Sequence, residues 1–386
     1  MGQHTLEPHV AVIFNPSKPA NWDDVKHIVN AQAHAAGYAE PLWIPTTKED
    51  PGTGQTREAI ARKSDLVIAA GGDGTVRLVA GELAGQKARL GILPMGTGNL
   101  FARNIGIPLD SVRDAATIAF GTSEERIDLG WVELASAKNH RSQASRRTSA
   151  THATHSHAAC APTSTPTSVP TRRDDVPPQR DSTLHFRLGR GHSQHSAHSS
   201  RHPFLVVGGV GFDAETMAST DATLKKMIGV LAYFQAAIPN LLTRKFSAII
   251  SAPNLSRPVT TAVRSVMFVN CPQLNSGIVL DPNADPADGA LNLNVLDIHG
   301  GLIGWADLLR RVGMSWVGLR SRTKGVPYKK GVGGIRTHAI RRCSVHLERA
   351  RKVQVDGDVI GSASTINVTV APRAVRVRVR SSAGMA

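Results

Sequence analysis

The sequence predicts an α/β fold joined to a β-rich second part, and three observations carry that expectation. Apolar runs alternate with amphipathic stretches from residue 9 to residue 120. Two glycine-rich turns, Gly71-Gly72-Asp73-Gly74-Thr75 and Pro94-Met95-Gly96-Thr97-Gly98-Asn99, each follow an apolar run within that alternation. Beyond Gly121 the hydrophobic period shortens to two, as in half-buried strands. Strand–helix alternation is the pattern of a parallel sheet covered on both faces.

The first part reads as follows. Residues 9–14 are an unbroken apolar strand. Asn21 stands as a helix cap with Asp23 and Asp24 in the first turn, where carboxylates meet the positive end of the helix dipole, and Gly37 ends that helix. Pro41 to Pro45 is a short second strand, and 53–63 a polar helix. Strands at 65–70 and 89–93 are followed by helices at 75–84 and 97–105, with a last helix over 111–120. This domain is expected over residues 1–122. Ligand sites in such sheets lie at the C-terminal strand ends.

The second domain is expected over 123–380. Arg126 to Glu133 alternates like a strand. So do 203–207, 246–251, 259–269, 290–297, 343–347, 352–355, 365–370 and 374–380, with helices near 220–243 and 302–312. An antiparallel sandwich accounts for this pattern. Residues 136–202 interrupt it. They are rich in Ser, Thr, His, Ala and Arg with almost no large apolar side chains. Such a segment cannot bury enough surface to offset its ordering entropy, so it reads as a disordered insertion between two strands of a hairpin. Its His152, His155 and His157, and His192, His195 and His198, lack partner carboxylates or cysteines and read as solvated linker.

Composition narrows the partners. The chain of 386 residues carries a net charge of +15, which points to an anionic partner. Aromatic residues make up 4%, too few for stacked single-stranded bases, so no nucleic acid is expected. Phosphate groups and an anionic membrane surface are favoured instead. Cys160, Cys271 and Cys343 form no CxxC pair and suit a reducing compartment. The first residues hold no apolar signal core, and Leu6 breaks the myristoylation pattern. A cytoplasmic protein with peripheral membrane association is expected, with a homodimer as one expected assembly. The uncharged run Met227 to Leu242 is too short to span a bilayer. It reads as a packed helix, or as an apolar rim whose flanking Lys225, Lys226, Arg244 and Lys245 meet headgroups.

The two glycine-rich turns carry the chemistry. Each sits where a strand ends and a helix begins, so unpaired amides and the positive dipole end face outward. Glycine lets the backbone lie close to a ligand. Two such turns in consecutive units, each with Thr and Asp or Asn, indicate phosphate binding.

GGDGT followed by the stretch from Pro94 to Pro108 resembles the catalytic domain of the diacylglycerol kinase family, which includes bacterial lipid kinases, sphingosine kinases and ceramide kinases. Asn15-Pro16 after the first strand, Gly209 to Ala214 (GVGFDA), Asp281 to Gly289 (DPNADPADG) and Val355 to Asp358 (VDGD) resemble further family motifs in family order. The resemblance covers nearly the whole chain outside 136–202. It implies a doubly wound first domain of the NAD kinase and phosphofructokinase type. It also implies an ATP- and Mg²⁺-dependent soluble lipid kinase that turns a lipid hydroxyl, diacylglycerol first, into a phosphate ester. By resemblance Asn15, Pro16 and the rest of 15–19, Thr46, Gly71, Gly72, Asp73, Gly74, Thr75 and on to residue 77, and Thr97 line the nucleotide site. Asn99 adds a polar edge. Asp356 is the implied proton acceptor, and Asp73 organises Mg²⁺ or orients the acceptor. Asp288 is the implied structural Mg²⁺ ligand, completed by carbonyls near Asp285 and Ala290. Asp73 also reads as a helix cap, Asp356-Gly357 as a type I′ hairpin turn, and Asp288-Gly289 as a plain turn.

The chain departs from the family at four places. Leu78 stands where relatives often have Glu, and Leu100 where they have Asp. Asp358 replaces the Glu of DGE, and Asn275-Ser276-Gly277 replaces a GG step. Sphingoid bases, ceramide and polyprenol-like acceptors stay open. Two alternatives remain. NAD kinases share GGDGT but lack the second stretch. A nucleotide-binding, membrane-associated protein without catalysis would also keep the fold.

Overall fold

A computed structural model describes residues 8–135, 201–211, 245–274, 279–298 and 333–381. The expectations for 136–200, the run Met227 to Leu242, the helices near 220–243 and 302–312, Phe212 to Ala214 and Asn275 to Gly277 lie outside the described residues.

The first part runs β1 (Val10–Phe14), α1 (Trp22–Ala35), β2 (Leu42–Pro45), α2 (Thr53–Ala61), β3 (Leu66–Gly71), α3 (Asp73–Leu83), β4 (Arg89–Pro94), α4 (Leu100–Asn104) and α5 (Val112–Ala119). The strands pair in parallel in the order β4-β3-β1-β2, as crossover helices require. All six residues of β3 are buried, so both sheet faces are covered. Val25, Val29 and Ala33 give α1 one buried stripe four residues apart. Asn21 precedes α1 as expected, but its amide donates to the Asp24 carboxylate and caps no backbone group. Helix α4 begins three residues later than the sequence suggests, because Asn99 is left-handed (φ 48°) and ends a turn there.

The second part runs β5 (Glu124–Ala135), β6 (Arg201–Phe204), β7 (Val207–Gly211), β8 (Phe246–Ser251), β9 (Val259–Val263), β10 (Ser265–Val269), β11 (Leu291–Ile298), β12 (Gly333–Ile340), β13 (Arg342–Val355) and β14 (Asp358–Arg378). Arg201 and His202, assigned by composition to the insertion, belong to β6. The expected strand 203–207 breaks at Leu205 and Val206, whose amides turn toward the carboxylate of Asp356. Strand 343–347 merges with 352–355 into β13 across a register shift between His346 and Arg351. The two last expected strands merge into β14. A bulge lets a strand bend without ending, and period-two patterns do not reveal it. Strand β12 was not legible.

These strands are mainly antiparallel and enclose a second core containing Phe204, Val210, Phe268, Leu291, Val345, Val353, Ile366 and Val368. The two parts share one sheet, because β14 pairs in parallel with β4 through Arg376↔Arg89 and Val377↔Leu90. Strands β5 and β6 are antiparallel neighbours, with Glu133 opposite Arg201, so the chain between them leaves and re-enters at one edge. Replacing residues 140–200 by a short Gly/Asn turn is therefore expected to leave the thermal unfolding midpoint and the catalytic rate unchanged. Calorimetry and a kinase assay check this; aggregation or a lost transition would make the segment structural.

Candidate active site

Strands β1, β2, β3 and β4 bring Asn15 and Pro16, Thr46, Gly71 to Thr75, and Thr97 with Asn99 to one edge of the parallel sheet. Gly71 ends β3, and a β-carbon there would stand 2.7 Å from the Thr75 β-carbon. Glycine thus lets the Thr75 side chain fold back over the turn, where it is buried. Gly72 is extended, and Asp73 opens α3. The second turn lies directly against the first. The Met95 amide donates to the Gly71 carbonyl at 2.9 Å.

Asn99 braces this second turn. Its side-chain oxygen accepts from the Gly96 amide at 2.9 Å, and its side-chain nitrogen donates to the Gly96 carbonyl at 2.8 Å. Its amide is thus used within the loop, while Thr97 is exposed. A β-carbon on Gly96 would lie 2.6 Å from the Gly72 α-carbon. Gly96→Ala must therefore separate the two turns. Nucleotide affinity is expected to fall on the order of tenfold and the melting temperature to fall with it, since overpacking against backbone costs about 1–3 kcal/mol; ATP titration beside thermal unfolding reads both.

The loops after β1 and β2 complete this end of the sheet. The Asn15 side chain accepts from the Ser17 amide at 3.0 Å and hydroxyl at 2.6 Å, shaping the loop after β1. That loop carries Lys18, whose ammonium would stand 3.6 Å from a β-carbon built on Gly72. Thr46 is buried and donates its amide to the Phe14 carbonyl at 2.8 Å. Thr47 is exposed and its hydroxyl accepts from the Asp50 amide.

Asp73 ties the two turns together. Its carboxylate accepts from the Leu100 amide at 2.5 Å and also faces the amides of Asn99 and of Asp73 itself, so it serves the start of α4 as well as its own helix. Burial pushes its pKa up to about 6, the charge of Asp356 adds to the rise, and amide hydrogen bonds oppose it. Asp358, two residues after Asp356, puts its Oδ2 3.2 Å from where a Gly74 β-carbon would stand, so the chain segment with Asp356 lies against the start of α3.

Asp356 and Gly357 form the two-residue turn between β13 and β14, with φ of 47° and 92°. Positive φ at both positions is the type I′ geometry. The turn carries more than hairpin chemistry. The Asp356 carboxylate is buried and accepts from three amides, Leu205 at 2.8 Å, Val206 at 2.8 Å and Val207 at 2.9 Å. Burial raises its pKa; the Arg77 guanidinium and the three amides pull it back.

Arg77 falls in the stretch the resemblance assigns to the nucleotide, yet it is buried and its Nη2 meets Asp358 Oδ2 at 2.7 Å. Asp128 is a second residue whose place the sequence did not disclose. Its carboxylate accepts from Gly289 at 2.6 Å and Arg373 at 2.5 Å, and its amide donates to the Pro286 carbonyl at 2.6 Å. A third is Asp281, buried and accepting from Asn283, Asn292 and Asn294. The available signal was a charge inside an apolar pattern: Asp128 between Ile127 and Leu129, Arg77 beside Val76, Val79 and Ala80.

Asp285 and Asp288 lie in the loop that Asp128 and Asp281 hold. Each gives one carboxylate oxygen to an amide two residues on, that of Ala287 or Ala290. Burial raises the Asp128 pKa, and the charges of Asp288 and Asp285 add to it. Among the described residues no three His, Cys, Asp or Glu side chains group as a metal cage. The donors at hand are two carboxylates and backbone carbonyls. That set fits a hard cation that keeps much of its own water, as Mg²⁺ does.

Residues 9–132 match the diacylglycerol kinase catalytic domain family. A protein of Bacillus subtilis named "Diacylglycerol kinase" is 37% identical over 125 residues, 31% of this chain and 41% of that protein. One of the same name from Mycobacterium tuberculosis is 43% identical over 75 residues, 19% of this chain and 24% of the relative. A Pseudomonas aeruginosa protein named "Probable lipid kinase YegS-like" is 40% identical over 118 residues, 30% and 37% of the two chains. The matched stretches thus span less than half the length of these relatives. The fold is similar to that of a crystal structure of a diacylglycerol kinase from Bacillus anthracis, with a TM-score of 0.61, 17% identity, and coverage of 98% of this chain and 99% of that one.

Proposed function

Because residues 9–132 carry the match to the diacylglycerol kinase catalytic domain, we propose that this chain transfers the γ-phosphate of ATP to a lipid hydroxyl, most readily that of diacylglycerol, giving phosphatidic acid. The observation that supports this reading is the turn with Asp356 lying against the start of α3, beside two abutting phosphate-type turns.

Phosphoryl transfer asks for positioning and charge stabilisation more than covalent work by the protein. The amides of Gly72, Gly74 and Thr75 hold phosphate oxygens at the start of α3, with Thr97, Asn15, Pro16 and Thr46 around them. Lys18 adds positive charge over Gly72. Asp356 takes the proton from the acceptor hydroxyl through the lone pair its three amides leave free. Asp73 sets the distance between the two turns and orients the acceptor. Mg²⁺ supplies charge neutralisation when bound, and Asp285, Asp288 and the carbonyl near Ala290 would hold a structural ion. The basic surface favours the anionic membrane on which the acceptor lies. Among the described residues no helix is long and apolar enough to cross a membrane.

Incubation with γ-labelled ATP, Mg²⁺ and mixed micelles of diacylglycerol, ceramide, sphingoid base or polyprenol tests this. A labelled phospholipid is expected. Labelled NADP from NAD, or nucleotide binding without any turnover, would overturn it.

A further inference from the structure

Arg77 occupies a position that the reaction scheme above leaves without a task. It lies four residues after Asp73, so both sit on one face of α3, a single turn apart. The residue is 6% exposed, and its Nε is buried with no hydrogen-bond partner. A guanidinium taken out of water at that depth is costly unless anions face it. Two do. Asp358 meets Nη2 at 2.7 Å, across 281 residues of sequence. Asp356, two residues earlier on the same turn, feels its charge as well. Gly74 makes the approach possible: a β-carbon there would stand only 3.2 Å from Asp358 Oδ2. Arg77 also faces His202 of β6, whose pKa is lowered first by burial and then by the guanidinium. The side chain therefore stands where α3, β6 and the β13–β14 turn converge.

We propose that Arg77 is a positioning residue: through its ion pair with Asp358 it holds the β13–β14 turn, and with it Asp356, against the first turn of α3. The inference rests on the kinase reading for its catalytic consequence and on geometry alone for the tether. Asp356 has its carboxylate fixed from one side by the Leu205 to Val207 amides. Those amides belong to the β-rich part. The Arg77–Asp358 pair is the side-chain link from the same turn to the helix that begins at the phosphate-type turn. Without it, the two reacting halves of the site are joined only through longer paths in the sheet. A base displaced by a fraction of an ångström loses rate while the nucleotide edge stays intact.

Arg77→Met, Asp358→Asn and the double variant are compared with the wild type for kcat on diacylglycerol micelles, KM for ATP, and amide hydrogen exchange over residues 354–358. Each single change is expected to lower kcat on the order of tenfold. KM for ATP should stay within about twofold. Exchange in the turn should quicken, and the double variant should be no slower than the worse single one, because one tether can be cut only once. Arg77→Lys should restore part of the rate. Asp358 is more than half exposed, so Asp358→Asn carries the test even where Arg77→Met does not fold. Wild-type kcat and exchange in Asp358→Asn, or losses that multiply in the double variant, overturn the proposal. A raised KM with unchanged kcat would make Arg77 a nucleotide ligand instead and also overturns it. Should the wild-type chain phosphorylate no lipid, the kinase reading fails and the exchange data alone decide the tether.

Discussion

Asp356→Asn is expected to lower kcat by on the order of 10²- to 10⁴-fold, the usual range for a lost general base. KM for ATP should change little, because a base acts on the acceptor proton and its loss falls on the transition state. The sequence suggests a clean experiment, since Asn-Gly and Asp-Gly support the same hairpin. The structure adds a second effect. Both carboxylate oxygens accept backbone amides, Oδ2 from Leu205 and Oδ1 from Val206 and Val207. Asparagine has one oxygen, so one amide would face another N–H. Leaving a buried donor unmatched costs about 1–3 kcal/mol, partly offset by no longer burying a charge. A lowered melting temperature is therefore expected beside the lowered rate. The two effects separate when kcat is measured well below the melting transition, with circular dichroism confirming the folded state. A folded variant with wild-type kcat would leave Asp356 a purely structural acceptor.

Asp73→Asn should have the opposite effect on stability and a comparable effect on rate. The amide oxygen of asparagine can still accept from Leu100, so the link between the turns survives. What disappears is a charge held in a half-buried place beside Asp356. The folded pKa of about 6 lies above the ordinary carboxylate value of 3.8. The folded state therefore binds this proton more tightly than the unfolded chain does. The resulting penalty is fully present above about pH 6 and fades as pH falls toward the unfolded value. The variant should gain on the order of 1–3 kcal/mol near pH 8 and almost nothing near pH 4. Urea unfolding at those two pH values checks it. Turnover should be abolished, and in the wild type the rate should decline as pH drops through about 6, where Asp73 takes up its proton. Equal activity in the variant would remove Asp73 from the machinery. Opposed stability and rate effects at one residue are the mark of a group kept for its chemistry.

Local patterns in the chain carried much of this arrangement. The four parallel strands were legible because each is a short apolar run bounded by Gly, Pro or Asn, and both glycine turns fall at strand ends as their composition requires. Elements that depend on distant partners were hidden. The start of α4 moved because Asn99 spends its side chain on Gly96, a bond no propensity encodes. Strands β13 and β14 looked like pairs of short strands because a bulge breaks the alternation without breaking the strand. The site shows the same division. Asp73 and Asp356 could be picked out by motif, but the three amides on Asp356 and the tie from Asp73 to Leu100 come from contacts across the fold. The roles of Arg77, Asp128 and Asp281 were hidden for the same reason. A charge inside an apolar pattern marks Arg77 and Asp128, and Asp281 opens a motif, but only the fold shows which partners each one holds.

The parallel pairing of β14 with β4 also has a bearing on biosynthesis. The half with the parallel strands is made first, yet its sheet lacks a neighbour beside β4 until Arg376 and Val377 have been added. The turn with Asp356 precedes Arg376 by 20 residues, at the other end of the same strand. A nascent chain thus exposes the open edge of β4 for most of its elongation, a template for wrong partners. On the kinase reading, a chain that stops before the end of β14 lacks the strand that joins the Asp356 turn to β4, and shielding of that edge during translation becomes a task for a chaperone.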